Sequence, residues 1–594
     1  MTTREASSSE AAAGRTVRDA SPKSQPGAAR RAAAAPRMLA AWRGHGAAWW
    51  WRAAALLAPH LAALAVLVTT ETDFIAMAAF VLAWVFLNGV VLAVLRRPTT
   101  AGVAALALVL VLIRLSQLKH EKLWLTVDFV DLMIIDRDTA RFLLKALPAL
   151  ALPLAGLAAA AAALTALAWR IDRIRIGRLA AALGSAASLA ALVALALAFP
   201  TGLTEDFLAG NYVSKFARTG VEAVHEYARH GYLDAGPALD ERLAADTACT
   251  PPAKLPHIIL LHDESSFDIT AAPTVRVPPD YSRYFRSSDG MARKLVVEGS
   301  GGPSWFTEFN VLTGLSAHSY GRFATSVTRI AAGRVLRGLP RALARCGYTT
   351  FSLYPFYGAF LGSQAFQETA GIAHYRDMAA LGTTSFEPDH FYFDRAREIV
   401  GRERSRGPLF LYVYTVANHF PWDTRLRAPE TPGWQAPGNG ADVDDYLRRQ
   451  AMTAHDYAVL LARLRQEFPD DAFLIVRYGD HQPEFATRIL EPALGAAEVA
   501  QHLQAADPRY FATYYAIDAV NFSPADLSPA LATIDAPYLP LVTLAAAGVP
   551  LDASFAEQKR ILQRCGGVFY RCNGGTEAQR FNRLLMDAGL LKGF

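Results

Sequence analysis

Three polar segments in the second half of the chain contain residue types that could bind a cation and perform catalysis. Glu264 lies in an Asp-Glu-Ser-Ser segment, Asp480 and His481 lie in a Gly-Asp-His segment, and Ser304 ends a Gly-rich turn. Hard or borderline divalent cations prefer carboxylate oxygens and imidazole nitrogens. A serine hydroxyl is a poor nucleophile at neutral pH, but coordination to a cation lowers its pKa. The four residues therefore predict a metal site with Ser304 as nucleophile.

Each motif also has a simpler interpretation when taken alone. The Gly-rich turn, residues 299–304, precedes a predicted helix at 305–315 and could hold an anion on its backbone N–H groups. It lacks the Gly-Lys-Ser/Thr ending of a nucleotide-binding P-loop, which excludes that function. Asn418-His419-Phe420-Pro421 forms a fourth motif, although a single loop histidine more often makes structural hydrogen bonds. Asp480-His481 alone would also fit a helix-entry aspartate beside a surface histidine.

The motifs follow predicted β-strands, which is the reason to consider them together. Apolar runs rich in Val, Ile, Leu and Tyr occupy residues 257–262, 294–297, 348–354, 408–416 and 472–478. Such strands alternating with helical stretches predict an α/β domain with a mostly parallel sheet covered on both faces. Ligands of open α/β sheets bind at the carboxyl ends of the strands. The motif residues should therefore converge along one edge of the sheet.

The amino-terminal third is built differently, from long apolar runs. Five of them occupy residues 49–69, 74–95, 101–118, 147–169 and 179–199. Each is close to the roughly 20 residues that cross a bilayer. Buried helices of soluble proteins rarely extend so far without a polar face. We predict a multi-pass domain of five transmembrane helices.

Basic residues between these runs predict how the chain crosses the membrane. Arginines precede the first run, follow the second and separate the fourth from the fifth, at positions 30, 31, 37, 43, 96, 97, 170, 173, 175 and 178. Because positive loops stay in the cytoplasm, the amino terminus is expected inside and residues after 199 outside a bacterial inner membrane. The loop at 119–145 has mixed charge, and its apolar stretch 123–135 suits the membrane interface.

Length and composition agree with a membrane protein of several domains. The 594 residues are 52% hydrophobic and only 19% charged, with a net charge of +5 and no basic stripe that would indicate nucleic-acid binding. We predict a disordered cytoplasmic tail at 1–45, the transmembrane domain at 46–200, juxtamembrane helices at 201–250 and a periplasmic catalytic domain at 251–594.

The motifs in this order resemble the alkaline phosphatase–sulfatase superfamily, and within it the lipoteichoic acid synthase and phosphoglycerol transferase group. The Glu-Ser-Phe motif of that group appears as residues 264–267 with one extra serine, Gly-Asp-His as 479–481 and Asn-His-Phe-Pro as 418–421. Its nucleophilic threonine, four residues before a Glu-Phe pair, corresponds to Ser304 before Glu308-Phe309. Thr307 is the alternative nucleophile.

The resemblance implies a reaction and a substrate site. It implies one divalent metal ion (manganese, magnesium or zinc) and transfer of a phosphoglycerol- or phosphoethanolamine-type group through a serine-linked intermediate. The donor would be a membrane lipid and the acceptor an envelope glycan or lipid. His419 would contact the phosphoryl group. The head-group positions that are His, Trp and Arg in the group fall on Tyr354, Leu361 and Ser363. Tyr354 is thus a candidate substrate-binding residue, and the cationic and aromatic parts of the group's pocket are missing.

Two other functions remain open from the sequence. The first is a hydrolase of the same superfamily, a phosphodiesterase or sulfatase that uses water as acceptor. Sulfatases carry a Cys/Ser-x-Pro-x-Arg motif, whereas Ser304 is followed by Trp-Phe-Thr, which disfavours sulfate hydrolysis. The second is a catalytically degenerate domain in a lipid-binding or regulatory membrane protein.

The four cysteines all follow the fifth predicted span, on its predicted outer side. Cys565 and Cys572 are separated by six residues in a Gly-containing segment, and an oxidising periplasm would favour a disulfide between them. Cys249 and Cys346 either pair or stay free. The spacing does not match a cysteine-based zinc site.

Overall fold

The computed structural model describes residues 35–123, 125–135, 151–202, 205, 208–244, 248–251, 254–422, 426 and 434–593. Most of the predicted disordered tail, residues 1–34, lies outside these ranges. The first helix begins at Ala35, earlier than the predicted end of that tail at residue 45. Contacts divide the chain into residues 1–58 and a compact unit formed by residues 59–594.

Helices dominate the described part of the first 250 residues and alternate with strands thereafter. The α-helices are Ala35–Thr70, Phe74–Leu95, Pro98–Leu123, Phe129–Ile134, Ala151–Ile171, Arg178–Ala198, Tyr212–His230, Ser304–Thr313, Val327–Ala331, Leu339–Arg345, Ser363–Ala370, Met378–Leu381, Asp389–Glu403, Ala441–Glu467, Ala486–Leu490, Ala496–Gln504, Leu539–Ala547, Ala553–Cys565 and Thr576–Asp587. The strands are β1 His257–Asp263, β2 Arg293–Val296, β3 Thr349–Leu353, β4 His374–Arg376, β5 Leu409–Tyr414, β6 Phe473–Gly479, β7 Ala512–Val520 and β8 Thr533–Asp535.

Four of the described helices are long and apolar enough to cross a membrane. They are Trp49–Thr70, Phe74–Leu95, Pro98–Glu121 and Arg178–Ala198. They match the first, second, third and fifth predicted spans. The fourth predicted span, 147–169, begins outside the described residues, and its apolar helix Ala155–Ile171 is shorter than the other four. That the chain crosses the membrane five times therefore stays a prediction.

One eight-stranded sheet forms the centre of the α/β domain, with the order β4-β3-β5-β1-β6-β7-β2-β8. Strand β7 is antiparallel to both of its neighbours, and all other pairs are parallel. The predicted α/β class with a mostly parallel sheet is confirmed. The five predicted strands are present, and β4, β7 and β8 complete the sheet.

The central strands are buried on both faces, as expected for a parallel sheet between helical layers. Every residue of β1, β5 and β6 is buried. Residues of β1 alternate between two apolar clusters, with Ile258 and Leu260 in one and Ile259 and Leu261 in the other. This arrangement holds the carboxyl ends of β1, β5 and β6 side by side, where the motif residues emerge.

The apolar stretch 123–135 packs at least partly on protein. Its helix Phe129–Ile134 contacts the helix Tyr212–His230. Val130 is completely buried, and the Phe129 ring lies 5.7 Å from the ring of Phe216. Leu132 and Ile135 of the same stretch are each 55% exposed, so its position at the membrane interface stays a prediction.

Two disulfides connect the cysteines. Cys565 and Cys572 are bonded, which confirms the predicted pair. Cys249 and Cys346, which the sequence analysis expected either to pair or to stay free, are also bonded, across a separation of 97 residues. The described residues contain no free cysteine.

Candidate active site

The four residues predicted as metal ligands and nucleophile meet at the sheet edge. The Ser304 hydroxyl oxygen lies 3.1 Å from His481 Nε2 and 3.4 Å from Glu264 Oε2. His481 Nε2 lies 3.6 Å from Glu264 Oε1 and 3.4 Å from Asp480 Oδ2. All four side chains are buried. Residues separated by more than 200 positions in the chain thus face one small volume.

Three elements bring these side chains together. Glu264 directly follows β1, Asp480 and His481 follow the adjacent strand β6, and Ser304 is the first residue of the helix Ser304–Thr313. Gly479 permits the close approach of the loops after β1 and β6, since a Cβ atom there would lie only 1.7 Å from the Ser266 carbonyl oxygen. The glycine of the Gly-Asp-His motif is therefore required by packing.

Hydrogen bonds orient Asp480 and His481 toward the shared volume. Asp480 Oδ1 accepts bonds from the backbone N–H groups of Ser265 at 2.7 Å and His481 at 2.8 Å, which leaves Oδ2 facing the site. His481 Nδ1 lies 2.8 Å from the Gln482 carbonyl oxygen and donates to it. The Nε2 atom then carries the lone pair, which is the form of histidine that binds metals.

Burial and mutual charge set the ionisation of the two carboxyl groups. Burial, together with the nearby Asp480 charge, raises the pKa of Glu264 well above its usual value. Burial also acts to raise the pKa of Asp480, but His481 and His262 outweigh it and hold that pKa below its usual value. Two buried carboxyl groups this close repel each other when both are ionised, and a divalent cation between them would remove the repulsion.

The donor set fits a divalent cation. Asp480 Oδ2 is buried and has no hydrogen-bond partner among the described residues. Carboxylate oxygens, imidazole nitrogen and a hydroxyl suit manganese, magnesium or zinc. Ligand atoms of Glu264, Asp480 and a further residue, His262, lie within 4.8 Å of one another.

His262 is the residue at the site that the sequence analysis missed. It belongs to β1 and is completely buried, with Nε2 3.1 Å from Asp480 Oδ2. The signal was its position two residues before Glu264, since alternate residues of a strand face the same side.

Thr307, the alternative nucleophile, is placed one turn after Ser304. Its hydroxyl donates a 2.6 Å hydrogen bond to the Asp480 carbonyl oxygen, and the residue is completely buried. This bond attaches the helix Ser304–Thr313 to the Gly-Asp-His loop.

The predicted substrate-binding residues lie on neighbouring strand ends. His419 follows β5 and is partly exposed, with its ring stacked on Phe420 at 4.5 Å. Asn418 Nδ2 lies 3.4 Å from the Ser266 hydroxyl, which connects this loop to the one that carries Glu264. Tyr354 follows β3 and is largely buried, with its ring 5.4 Å from the ring of Tyr414.

The position aligned with the family's head-group arginine holds a neutral side chain in a buried polar cluster. The Ser363 hydroxyl donates to Glu308 Oε1 at 2.9 Å, and Gln367 donates to the same oxygen at 2.8 Å. Burial raises the pKa of Glu308 to about 7. Ser363 is neutral and already donates its hydroxyl hydrogen to Glu308, so it supplies no cation for a phosphate group.

Comparison with known proteins gives a family match for part of the chain. Residues 301–522 match the sulfatase family model, a range that includes Ser304, His419, Asp480 and His481 but begins after Glu264. The chain has no match among curated proteins.

Several solved structures resemble the fold at low sequence identity. The Listeria monocytogenes lipoteichoic acid synthase LtaP is 14% identical, with 50% of this chain and 73% of that chain covered and a TM-score of 0.37. The Streptococcus pyogenes phosphoglycerol transferase GacH, in complex with sn-glycerol-1-phosphate, is 13% identical, with 57% and 87% covered and a TM-score of 0.43. The Neisseria meningitidis lipooligosaccharide phosphoethanolamine transferase A is 12% identical, with 70% and 83% covered and a TM-score of 0.39.

The family match bears directly on the resemblance inferred from the motifs. It covers the nucleophile candidate and two of the candidate ligands within one α/β domain. Residues 301–522 match the sulfatase family model, and the resemblance of this chain to the alkaline phosphatase–sulfatase superfamily is confirmed over that range.

Proposed function

We propose that this chain is a membrane-anchored, metal-dependent transferase that moves a phospho-alcohol group from a lipid to an acceptor of the cell envelope. One observation carries the proposal. The Ser304 hydroxyl lies within 3.4 Å of two side chains suited to bind a cation, at the carboxyl-terminal edge of the sheet of a sulfatase-family domain.

Glu264, Asp480, His481 and the Ser304 hydroxyl would hold the metal ion. When bound, a divalent cation lowers the pKa of the serine hydroxyl and neutralises charge on the phosphoryl oxygens. The protein supplies the orientation. His481 keeps Nε2 free by donating through Nδ1, and the backbone bonds to Asp480 Oδ1 leave Oδ2 toward the site.

The reaction proceeds by two displacements at phosphorus. In the first, Ser304 Oγ forms a bond to the lipid phosphorus and the bond between phosphorus and the diacylglycerol oxygen breaks. Ser304 loses its proton, and the diacylglycerol oxygen gains one. In the second, an acceptor hydroxyl oxygen attacks the phosphorus and the bond to Ser304 breaks. The acceptor loses a proton, and Ser304 regains one. Direct in-line positioning of reactants accounts for much of the rate of such transfers.

The membrane helices give this chemistry access to its donor. A lipid donor is confined to the leaflet, so a catalytic domain attached to the same membrane meets it at high effective concentration. The arginine distribution supports an outward-facing domain in a bacterial inner membrane. We propose the boundaries 46–200 for the membrane domain and 251–594 for the catalytic domain on the same grounds.

The residues around the site bear on the head group of the lipid donor. His419 is proposed to contact the phosphoryl group and Tyr354 to line the site. Because the pocket positions hold Tyr354 and Ser363 in place of cationic side chains, phosphoglycerol and phosphoethanolamine donors both need to be tested.

The first prediction concerns Ser304. Full-length protein in detergent, supplied with Mn²⁺, Mg²⁺ or Zn²⁺, is incubated with phosphatidylglycerol or phosphatidylethanolamine. We expect diacylglycerol release and a head-group adduct on Ser304 by peptide mass spectrometry. Ser304→Ala should lower diacylglycerol release more than about 10³-fold, because removing a nucleophile abolishes the covalent route.

Thr307→Val is the matched control for this prediction. The substitution removes a neighbouring hydroxyl in the same helix, so activity should fall far less and the adduct should still form on Ser304. An adduct on Thr307, or full activity of Ser304→Ala with metal bound, would contradict the proposed nucleophile. Product analysis with and without a glycan acceptor separates transfer from hydrolysis, since a hydrolase releases free phospho-alcohol at the same rate in both.

A further inference from the structure

His262 stands on the same face of the sheet as Glu264. It lies in β1, which pairs with β5 on one side and β6 on the other, at the centre of the sheet. The residue pairs in register with Tyr414 of β5 and Tyr478 of β6. Its side chain is completely buried. A buried histidine at this position therefore faces the volume that holds the four candidate site residues.

Three tyrosines fix the orientation of the His262 ring. Its Nδ1 atom lies 2.9 Å from the Tyr412 hydroxyl and 2.8 Å from the Tyr478 hydroxyl. The ring stacks on Tyr414, with centroids 3.7 Å apart and planes inclined by 16°. Metal-binding histidines are typically held in this way through the ring nitrogen that does not bind the metal. The other nitrogen, Nε2, is thereby directed at Asp480.

The contact between His262 and Asp480 lacks the alignment of a hydrogen bond. Nε2 lies 3.1 Å from Asp480 Oδ2, yet each of these buried atoms has no hydrogen-bond partner among the described residues. Leaving a buried polar atom unpaired costs about 1–3 kcal/mol. Two such atoms side by side would both be satisfied if they bound the same cation.

The spacing of the donor atoms agrees with a shared cation. Two donors bound at about 2.1 Å and a tetrahedral angle are about 3.4 Å apart. Asp480 Oδ2 lies 3.1 Å from His262 Nε2 and 3.4 Å from His481 Nε2, and His481 Nε2 lies 3.6 Å from Glu264 Oε1. His262 meets the same distance criterion as His481.

We propose that His262 Nε2 is a second imidazole ligand of the metal ion, an inference that rests on the proposed function. The donor set then contains two imidazole nitrogens, the carboxylates of Glu264 and Asp480, and the Ser304 hydroxyl. Imidazole ligands favour zinc-like cations, whereas magnesium prefers oxygen ligands and bound water. The second imidazole makes Zn²⁺ the preferred ion over Mg²⁺.

The test is a count of imidazole ligands. Full-length protein without a polyhistidine tag is stripped of metal, loaded with one equivalent of Zn²⁺ and measured by X-ray absorption, in which coordinated imidazoles give a characteristic multiple-scattering signal. We expect two imidazoles in the wild type and one in His262→Gln. His257→Gln is the matched control, because His257 is buried in the same strand, lies 3.7 Å from Asp471 and should leave the count at two.

A ligand exchange gives a positive signal. In His262→Cys the thiolate would replace the imidazole and add a zinc–sulfur distance of about 2.3 Å. This outcome, or the loss of one imidazole in His262→Gln with an unchanged unfolding temperature of the metal-free protein, supports the proposal. A wild-type count of one that His262→Gln leaves unchanged overturns it, and His262 then only positions Asp480. A wild type that binds no metal overturns the proposed function itself.

Discussion

Ser265 shows how a single residue links the two loops of the candidate site. Its backbone N–H donates to Asp480 Oδ1 at 2.7 Å and its hydroxyl to Glu264 Oε1 at 2.7 Å. To make both bonds the residue adopts a left-handed conformation with φ of 50°. For an L-amino acid other than glycine this conformation costs roughly 1–2 kcal/mol. The chain therefore holds an unfavourable backbone conformation at the residue that bonds to both candidate ligands, Glu264 and Asp480.

A pair of substitutions tests this conformation. Ser265→Gly and Ser265→Ala both remove the hydroxyl, but only glycine relieves the left-handed backbone. We expect Ser265→Gly to be more stable than Ser265→Ala by about 1 kcal/mol, measured by thermal unfolding of the full chain in detergent.

Ser363 supplies the control for this comparison. It has a right-handed φ of −53° at the start of a helix, so there alanine should be the more stable replacement. The same order of stability at both positions would contradict the strain argument.

At the scale of elements, the loop after β5 is attached to the helix Asp389–Glu403. Asp389 Oδ1 accepts bonds from the backbone N–H groups of Val416 at 3.3 Å and Ala417 at 3.1 Å, and the Thr453 hydroxyl donates to its other oxygen. The next residues along the loop are Asn418 and His419. One buried carboxyl group thus positions the loop proposed to contact substrate.

The ionisation of Asp389 predicts a pH-dependent stability. Burial, with a contribution from the nearby Asp263, raises the pKa of Asp389 from 3.8 to about 7. Because the folded-state pKa exceeds the unfolded value, its stability contribution is fully present below about pH 4 and is lost as the pH rises through about 7. The loss is about 4 kcal/mol at most.

Asp389→Asn keeps the shape of the side chain and removes this ionisation. The unfolding temperature of the variant, relative to wild type, should therefore rise between pH 5 and pH 8. Thermal unfolding of the full chain in detergent across this range measures it. A constant difference between the two proteins at all pH values would show that Asp389 does not titrate there.

At the scale of the whole molecule, the helix Tyr212–His230 connects the apolar helices to the α/β domain. It packs against Phe74–Leu95 and Arg178–Ala198 and also against the segment Ala317–Ser326, which follows the helix that begins at Ser304. Glu222 accepts a 2.8 Å bond from the backbone N–H of Thr201 and forms a buried ion pair with Arg322. The ion pair thus joins the helix that packs on the apolar helices to the segment Ala317–Ser326, which follows the helix of the proposed nucleophile.

Breaking this ion pair should destabilise the docked helix. Glu222→Gln removes the carboxylate charge that faces the buried Arg322 guanidinium, and removing one member of a buried ion pair typically costs about 3–5 kcal/mol. Thermal unfolding in detergent measures the loss. Glu226→Gln is the control, because Glu226 lies in the same helix, is partly exposed and only accepts a backbone bond from Arg322, so about 1 kcal/mol is expected. Equal effects of the two substitutions would contradict the role of the ion pair.

Local sequence patterns were sufficient to predict the helices and strands and most residues of the candidate site. The apolar runs are long enough to predict, without any tertiary information, four helices that are long and apolar enough to cross a membrane. The five predicted strands are present because each is a short apolar run between turn residues, and parallel strands place their carboxyl ends at one edge. The convergence of Glu264, Ser304, Asp480 and His481 follows from that rule, since each residue directly follows a strand or begins the helix after one.

The partners that these elements find in distant parts of the chain are decided only by the tertiary structure. The antiparallel strand β7, the pairing of Cys249 with Cys346 and the ion pair of Glu222 with Arg322 join segments with no shared local pattern. His262 is the clearest case, because its spacing from Glu264 indicates which face of the strand it lies on but not which residue of another strand it meets. Its place beside Asp480 depends on the registration of β1 against β6, which is set by packing over the whole sheet and not by any neighbouring residue.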